Sequence, residues 1–408
     1  MTRPPTDEPL RIAIFAESYL PYLSGVTVST ESLARGLRAA GHQVLLLAPR
    51  PAGGASPGSA GAVGPDPEVA WLPSFQLPSP APHLYRVPWP IPSPALRAAV
   101  AFRPQIIHAQ SPFLSGLLAR RVARRAGVPL VFTHHTRLGD YRHYLGPLAA
   151  PGAGALSAYL VRFWAGCAAI VAPGTDLAAE IAARLGSGRR PVVRVIPTGI
   201  DTASIGRLEP IDARPVAGWP PDAVVAVSVG RLAPEKSSGL VVEAFADAVA
   251  DEPTLRLLLI GGGPLEVALR TRVAQSDLAG RVHLTGVRPR LEALALARGA
   301  DLFVFASQTE TQGLVLAEAL AAGLPVVALD GHGVRDSVRD GIDGEVLAAA
   351  PEETRRARLA AGVVGLARDA NRRAELAHAA VEGAARFDVV ARTAEMVDLY
   401  RSLLAHRR

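Results

Sequence analysis

Two glutamates eight residues apart, Glu310 and Glu318, stand in the stretch SQTETQGLVLAEALAAGLPVVAL from Ser307 to Leu329. Carboxylates accept hydrogen bonds from hydroxyls, and a pair roughly 10 Å apart at the helical rise could grip two parts of one extended ligand. Between them lie Gln312, Gly313, Leu314 and Val315, where the pattern turns at glycine and starts a helix. The free N–H groups of a first helical turn form an anion site. An anion flanked by hydroxyl-binding carboxylates is what a nucleotide-activated sugar presents. An isolated glutamate pair is ordinarily a solvated helix face, so its surroundings must decide.

A second cluster, Val229-Gly230-Arg231-Leu232-Ala233-Pro234-Glu235-Lys236, follows an apolar run and enters a helical pattern. Arg231 and Lys236 therefore belong at the carboxyl end of a strand, where parallel α/β sheets bind ligands. A guanidinium offers a planar fork and an ammonium a point charge, and a diphosphate can use both. Lys236 is the only lysine among 43 basic residues. Arginine fills nearly every other cationic position, so the one retained ammonium points to a specific task.

The elements that must position these groups alternate between strand and helix. Strands are expected at 10–16, 44–48, 105–108, 130–133, 168–172 and 192–197, with helices at 28–40, 113–126, 154–165 and 176–185. After 198–221, the best linker candidate, strands are expected at 224–229, 255–260, 282–284, 301–305 and 326–329. From Pro351 onward the pattern is helical, with one break near Phe387-Asp388. Pro51 to Pro67 reads as a mobile loop, and 71–94 as aromatic and proline-rich with little regular structure. This is an α/β chain of two doubly wound, Rossmann-like parallel-sheet domains facing across a cleft. Gly261-Gly262-Gly263 follows a strand as a dinucleotide fingerprint would. Glu266 replaces the third glycine, and no acidic residue stands at the usual distance, which argues against NAD.

The 408 residues allow two ordinary domains, and 49% apolar content allows two cores. One cysteine, Cys167, permits no disulfide and fits a reducing cytoplasm. No signal-peptide pattern and no apolar run of membrane-spanning length occur. The net charge of +6 favours anionic partners. Nucleic acid is the weakest of them, since zinc pairs, RNA-binding aromatic motifs and a basic tail are all lacking.

GRLAPEK, TETQGLVLAEALAAGLPVV and the opening FAESYLPYLSGVTVSTESLARGLRAAGHQVLLLAP together resemble the signature of the retaining nucleotide-sugar glycosyltransferases of family 4. The likeness runs from Arg11 to about Gly344. It implies a GT-B fold, with an acceptor-binding domain over 1–200, a donor-binding domain over 201–387, and a last helix, 388–408, packing back on the first domain. It also implies that Arg231 and Lys236 hold the donor diphosphate, Glu310 the transferred sugar and Glu318 the ribose. Gln312 to Val315 would touch sugar and phosphate, and Gly25 would let a first-domain loop approach the diphosphate. Gln312 departs from the aromatic residue many members carry there. In THHTRLGDYRHY the match implies a site role for His135, beside His134. No Asp-x-Asp motif is present, so neither metal nor cofactor is expected.

THHTRLGDYRHY with SQTETQGLV resembles the subgroup that glucosylates diacylglycerol, as in 1,2-diacylglycerol 3-glucosyltransferases. UDP-glucose, a lipid acceptor and an anionic membrane surface are then the expected partners, at the inner face of the membrane. Phosphatidylinositol and other GDP-mannose-dependent mannosyltransferases carry similar motifs. A nucleotide-sugar epimerase and a non-catalytic nucleotide-sugar binding protein are the readings from other classes. Asp140, Tyr141, His143 and Tyr144 are candidates for the acceptor pocket. On a helical wheel over 113–126, Gly116, Ala119, Val122, Ala123 and Ala126 face inward. Phe113, Leu114, Leu117 and Leu118 face out beside Arg120, Arg121, Arg124 and Arg125, which suits monotopic binding to anionic lipid. The alternative is core leucines with snorkelling arginines. Trp71, Phe75, Tyr85 and Trp89 form a second candidate surface.

Overall fold

The computed structural model describes residues 8–22, 24–52, 69–77, 85–137, 149–186, 191–275, 277–348 and 351–406. Its contacts divide the chain into two compact units, 1–199 with 389–408, and 200–388.

The first unit contains β1 (Arg11–Phe15), α1 (Gly25–Ala39), β2 (Gln43–Pro49), β3 (Val69–Leu72), β4 (Ser74–Gln76), β5 (Arg86–Pro88), α2 (Pro94–Ala101), β6 (Ile106–Ala109), α3 (Leu114–Ala126), β7 (Leu130–Thr133), α4 (Ala149–Trp164), β8 (Ala169–Ala172), α5 (Thr175–Arg184) and β9 (Val192–Val195), plus the final helix, Val389–Ala405. Seven strands pair in the order β3-β2-β1-β6-β7-β8-β9, all parallel. Its central strands are apolar but for His108 in β6 and Thr133 in β7, and every residue of β6, β7 and β8 is buried. That is the pattern of strands covered on both faces. The final helix packs on α1 and sends Met396, Val397, Leu399 and Tyr400 into the core beneath β1 and β2.

The second unit holds α6 (Thr202–Gly206), α7 (Arg214–Ala217), β10 (Val224–Val229), α8 (Ser238–Asp251), β11 (Leu255–Ile260), α9 (Glu266–Val273), β12 (Val282–Gly286), α10 (Arg290–Arg298), β13 (Leu302–Phe305), α11 (Leu314–Ala321), β14 (Val326–Leu329), α12 (Val334–Ser337), β15 (Gly344–Leu347), α13 (Glu352–Arg368) and α14 (Ala370–Ala384). Its six parallel strands run β12-β11-β10-β13-β14-β15.

Three expectations need correction. The segment 198–221 is no bare linker, because Ile205, Ala213 and Trp219 are buried in the second core. Arg214 also ties it to that sheet through Asp301, at 2.5 Å. The stretch 71–94 holds the end of β3, an edge strand, and the antiparallel pair β4–β5. The helical tail breaks a second time at Asp369, whose side chain caps α14 by accepting from Arg372 N. Nearly all of the expected loop, 53–67, lies outside the described residues, as do Asp140, Tyr141, His143 and Tyr144.

Candidate functional site

Most of the expected donor-site residues gather at the carboxyl ends of β10 and β13, adjacent strands of the second sheet. Leaving β10, the chain passes Gly230 and Arg231, makes a 3-10 turn over Pro234–Lys236, and takes a left-handed step at Ser237 (φ 54°) into α8. The glycine run after β11 serves this loop. A Cβ on Gly261 would stand 1.9 Å from Gly230 O, and one on Gly263 2.4 Å from Leu232 O. Leu232 N donates to Gly262 O at 3.0 Å, so two backbones lie closer than side chains permit. The glycines are there for packing, and no dinucleotide is needed to explain them.

Leaving β13, the loop 307–313 leads into α11. It is pinned to the first loop, since Ser307 Oγ and Thr309 Oγ1 both donate to Glu235 O, at 3.3 and 3.1 Å. Gln312 is buried, and its carbonyl accepts from Ser337 Oγ. Gly313 takes the left-handed conformation (φ 73°) that starts α11 without a side-chain cap. The first N–H groups of α11, near Leu314 and Val315, remain the type of group that binds an oxyanion.

Lys236 Nζ donates to Glu310 Oε1 at 2.6 Å, with side-chain exposures of 30% and 14%. The lone lysine and the first glutamate thus form one unit, 74 residues apart in sequence. An ammonium has three donors, so a contact with Glu310 does not by itself exclude one to a phosphate. Arg231 is 42% exposed at the side chain and lies 3.5 Å from the carboxylate of Glu235, which is almost wholly buried. Glu318 is paired with Arg290 at the start of α10. Neither Arg290 nor Ser337 was singled out from the sequence. No spacing ties Arg290 to Glu318, and a serine in a short helix carries no signal.

In the first unit Gly25 begins α1, where an added Cβ would meet nothing within 4 Å. His134 and His135 follow β7 but part company. His134 is buried with its ring 5.3 Å from Trp164 and 5.4 Å from Phe132, and desolvation pushes its pKa down to about 3. His135 is half-buried, bonds Gln110 Oε1 at 2.6 Å, and is pushed down to about 4 by the same cause. A third imidazole, His108, lies fully buried between Tyr400 Oη (2.6 Å) and Thr133 Oγ1 (2.7 Å), and is held at about 3. All three are neutral at physiological pH.

Helix α3 follows the wheel with two exceptions. Phe113 and Leu117 are exposed at 37% and 43%, as are Arg121, Arg124 and Arg125. Leu118 is buried among α3's core residues, and Ala126 is exposed. The helix packs on β1, β6, β7, β5 and α2, so its buried stripe is wider than the small residues alone. Leu114 and Arg120 are half-buried. Trp89 is 46% exposed, with its ring 4.4 Å from that of Phe75 and tilted at 41°. No helix among the described residues is long and apolar enough to cross a membrane.

Comparison with known proteins gives a consistent picture. The family model described as Glycosyltransferase Family 4 matches residues 23–204, and that of Glycosyl transferases group 1 matches 211–382. An alpha-monoglucosyldiacylglycerol synthase of Acholeplasma laidlawii is 30% identical over 345 residues, covering 82% of this chain and 84% of the relative. A GDP-mannose-dependent alpha-mannosyltransferase of Mycolicibacterium smegmatis is 31% identical, covering 81% and 82%. Among solved structures, Anabaena HepE with UDP and glucose superposes with a TM-score of 0.70 at 19% identity, covering 96% of this chain and all of that one. Sucrose-phosphate synthase of Thermosynechococcus elongatus reaches 0.72 at 22%, covering 97% and 100%. These two likenesses establish the fold.

Proposed function

The chain belongs to glycosyltransferase family 4, has the GT-B fold and is a sugar-transferring enzyme; from that premise we propose that it moves glucose from UDP-glucose to diacylglycerol at a membrane surface, with retention and without a metal. The observation that carries this reading is the joint placement of Lys236, Glu310, Arg231 and the uncapped start of α11 at neighbouring strand ends. As the glycosidic bond breaks, the departing diphosphate gains charge and the anomeric carbon becomes oxocarbenium-like. Cations and helix N–H groups fixed on the diphosphate therefore favour the transition state over the ground state. Two cations and a helix terminus supply the charge that a divalent ion supplies elsewhere. Glu310, held by Lys236, would orient sugar hydroxyls, and Glu318, held by Arg290, the ribose.

The lipid acceptor is supported by the glucosyldiacylglycerol synthase relatives and by the charge distribution. Between Glu68 and Asp140 the sequence has eight arginines and no acidic residue, more positive charge than the net +6 of the whole chain. On α3 that charge adjoins exposed Phe113 and Leu117, and α3 packs against β5, the strand that leads into Trp89 and Ile91. Apolar side chains among arginines are what an anionic bilayer surface binds.

The test is incubation with labelled UDP-glucose and diacylglycerol in vesicles containing phosphatidylglycerol, with excess chelator. Label should enter the lipid extract as an α-glucoside. Label isomerised in solution, or merely retained by the protein, contradicts the reading. The mannosyltransferase relatives favour one second reading, in which GDP-mannose is the donor. A parallel arm with GDP-mannose separates the two.

A further inference from the structure

The short helix α12 holds the Gln312 peptide from both of its ends. At its start Gly333 takes the left-handed conformation (φ 72°), and a Cβ there would stand 2.9 Å from Gln312 N and 3.0 Å from Gln312 Cα. At its end Ser337, fully buried, directs its hydroxyl to the Gln312 carbonyl. A carbonyl oxygen can only accept, so the serine donates. Ser337 is itself anchored. Its own carbonyl accepts from Arg386, which also donates to Asp343 Oδ2 at 2.9 Å. Asp343 is fully buried and accepts from Arg339 N and Nε, each at 2.7 Å. Two arginines and a buried carboxylate thus fix the backbone from which one hydroxyl reaches the donor-site loop.

The peptide so held is the one that opens α11. The Gln312–Gly313 bond is trans, so its C=O and the Gly313 N–H point in opposite directions within one plane. With the oxygen turned toward α12, the Gly313 N–H is turned away from it, and Gly313 is the residue that caps the start of α11. Glycine adopts either sign of φ readily, so its own torsions do not prevent this peptide from flipping. We propose that Ser337 is a positioning residue for sugar transfer: by holding the Gln312 carbonyl it aims the Gly313 N–H, and with it the first turn of α11, at the donor diphosphate beside Lys236 and Arg231. The proposal rests on the reading of that strand-end cluster as the diphosphate site. Its consequence is a matter of sign. The braced peptide presents a donor to the anion, whereas a flipped one presents an oxygen that repels it.

The experiment titrates UDP and uridine separately into the full chain, which divides phosphate contacts from base and ribose contacts. GDP and guanosine run alongside, so that either donor class is read. Wild type should bind the diphosphate at least about 100-fold tighter than its nucleoside. Ser337→Ala should lower diphosphate affinity about 10-fold, change nucleoside affinity less than about twofold, and lower kcat about 10-fold. Ser337→Cys, nearly isosteric and a weak donor, keeps the test open if the alanine variant fails to fold, and its diphosphate affinity should also fall while nucleoside affinity holds. Unchanged diphosphate affinity, or diphosphate and nucleoside affinities that fall together, overturns the positioning role. A wild type that binds the diphosphate no tighter than the nucleoside, for either base, overturns the diphosphate site instead, so the two failures are distinguishable.

Discussion

The two units treat polar chemistry in opposite ways. The second pairs its charged side chains at the strand ends: Lys236 with Glu310, Glu318 with Arg290, Arg231 near Glu235. The first buries His108 and His134, half-buries His135, pushes each toward neutrality by desolvation, and exposes a cluster of arginines on α3. Fixed charge belongs where a leaving group accumulates charge, and neutral hydrogen bonding belongs where hydroxyls are oriented. On this account the contrast is a division of labour, with donor activation in the second unit and acceptor-side positioning in the first.

The most direct way to break the contrast is to remove the charge that defines the second unit. Lys236→Ala should lower the initial rate of transfer about 100-fold or more, the loss of one charge-assisted contact. Lys236→Arg should recover only part of it, since a fork does not replace a point charge. Unchanged turnover in a folded Lys236→Ala protein would remove the diphosphate role.

In the first unit, charge should serve the membrane and not the reaction. Replacing Arg121, Arg124 and Arg125 by glutamine should weaken sedimentation with phosphatidylglycerol vesicles about 100-fold, at about 1 kcal/mol per basic residue. Transfer to a short-chain, detergent-dispersed acceptor should hardly change. Equal binding by the variant to anionic and zwitterionic vesicles, at the wild-type level, would show that this face is not the contact.

A smaller effect is expected at Arg290. Arg290→Ala frees Glu318 from its partner and should raise the donor KM about 10-fold while kcat moves little. A fall in kcat without a change in KM would place Arg290 in the chemical step.

The smallest effect concerns pH. Because His135 is held near 4, it should add no ascending limb to the transfer rate between pH 8 and 5.5. Stability behaves differently. His108 and His134 titrate near 3 when folded and about 6.5 when unfolded, so below about pH 6.5 the unfolded chain takes up protons the folded one refuses. Their contribution is present above that pH and is lost as pH falls, so the melting temperature should drop from pH 7 to 5.5. A melting temperature that rises over that interval would contradict the burial of neutral rings.

The sequence was most legible where function is local. GRLAPEK and SQTETQG each fold as one loop at a strand end, so residue types and spacing already describe the geometry there. The pairings that join loops were not legible. His135 meets Gln110 across 25 residues, Glu318 meets Arg290 across 28, and His108 meets Tyr400 across 292. Periodicity carries no information about such contacts. It also failed at 198–221, where prolines mask two short helices in a segment that buries Ile205, Ala213 and Trp219, and on α3, where Leu118 belongs to a core face wider than the small residues indicated. The reading of Gly261–Gly263 as an unlikely dinucleotide loop found its reason only in three dimensions, in the carbonyls of Gly230 and Leu232.

Calorimetric titration of UDP into wild type and into the Arg231→Ala, Lys236→Ala double variant, both in chelator, tests the central claim most directly. Wild type should bind without added metal, and affinity should fall at least about 100-fold in the variant with the fold intact. Equal affinity in the two proteins, or wild-type binding that appears only when a divalent cation is added, would contradict it.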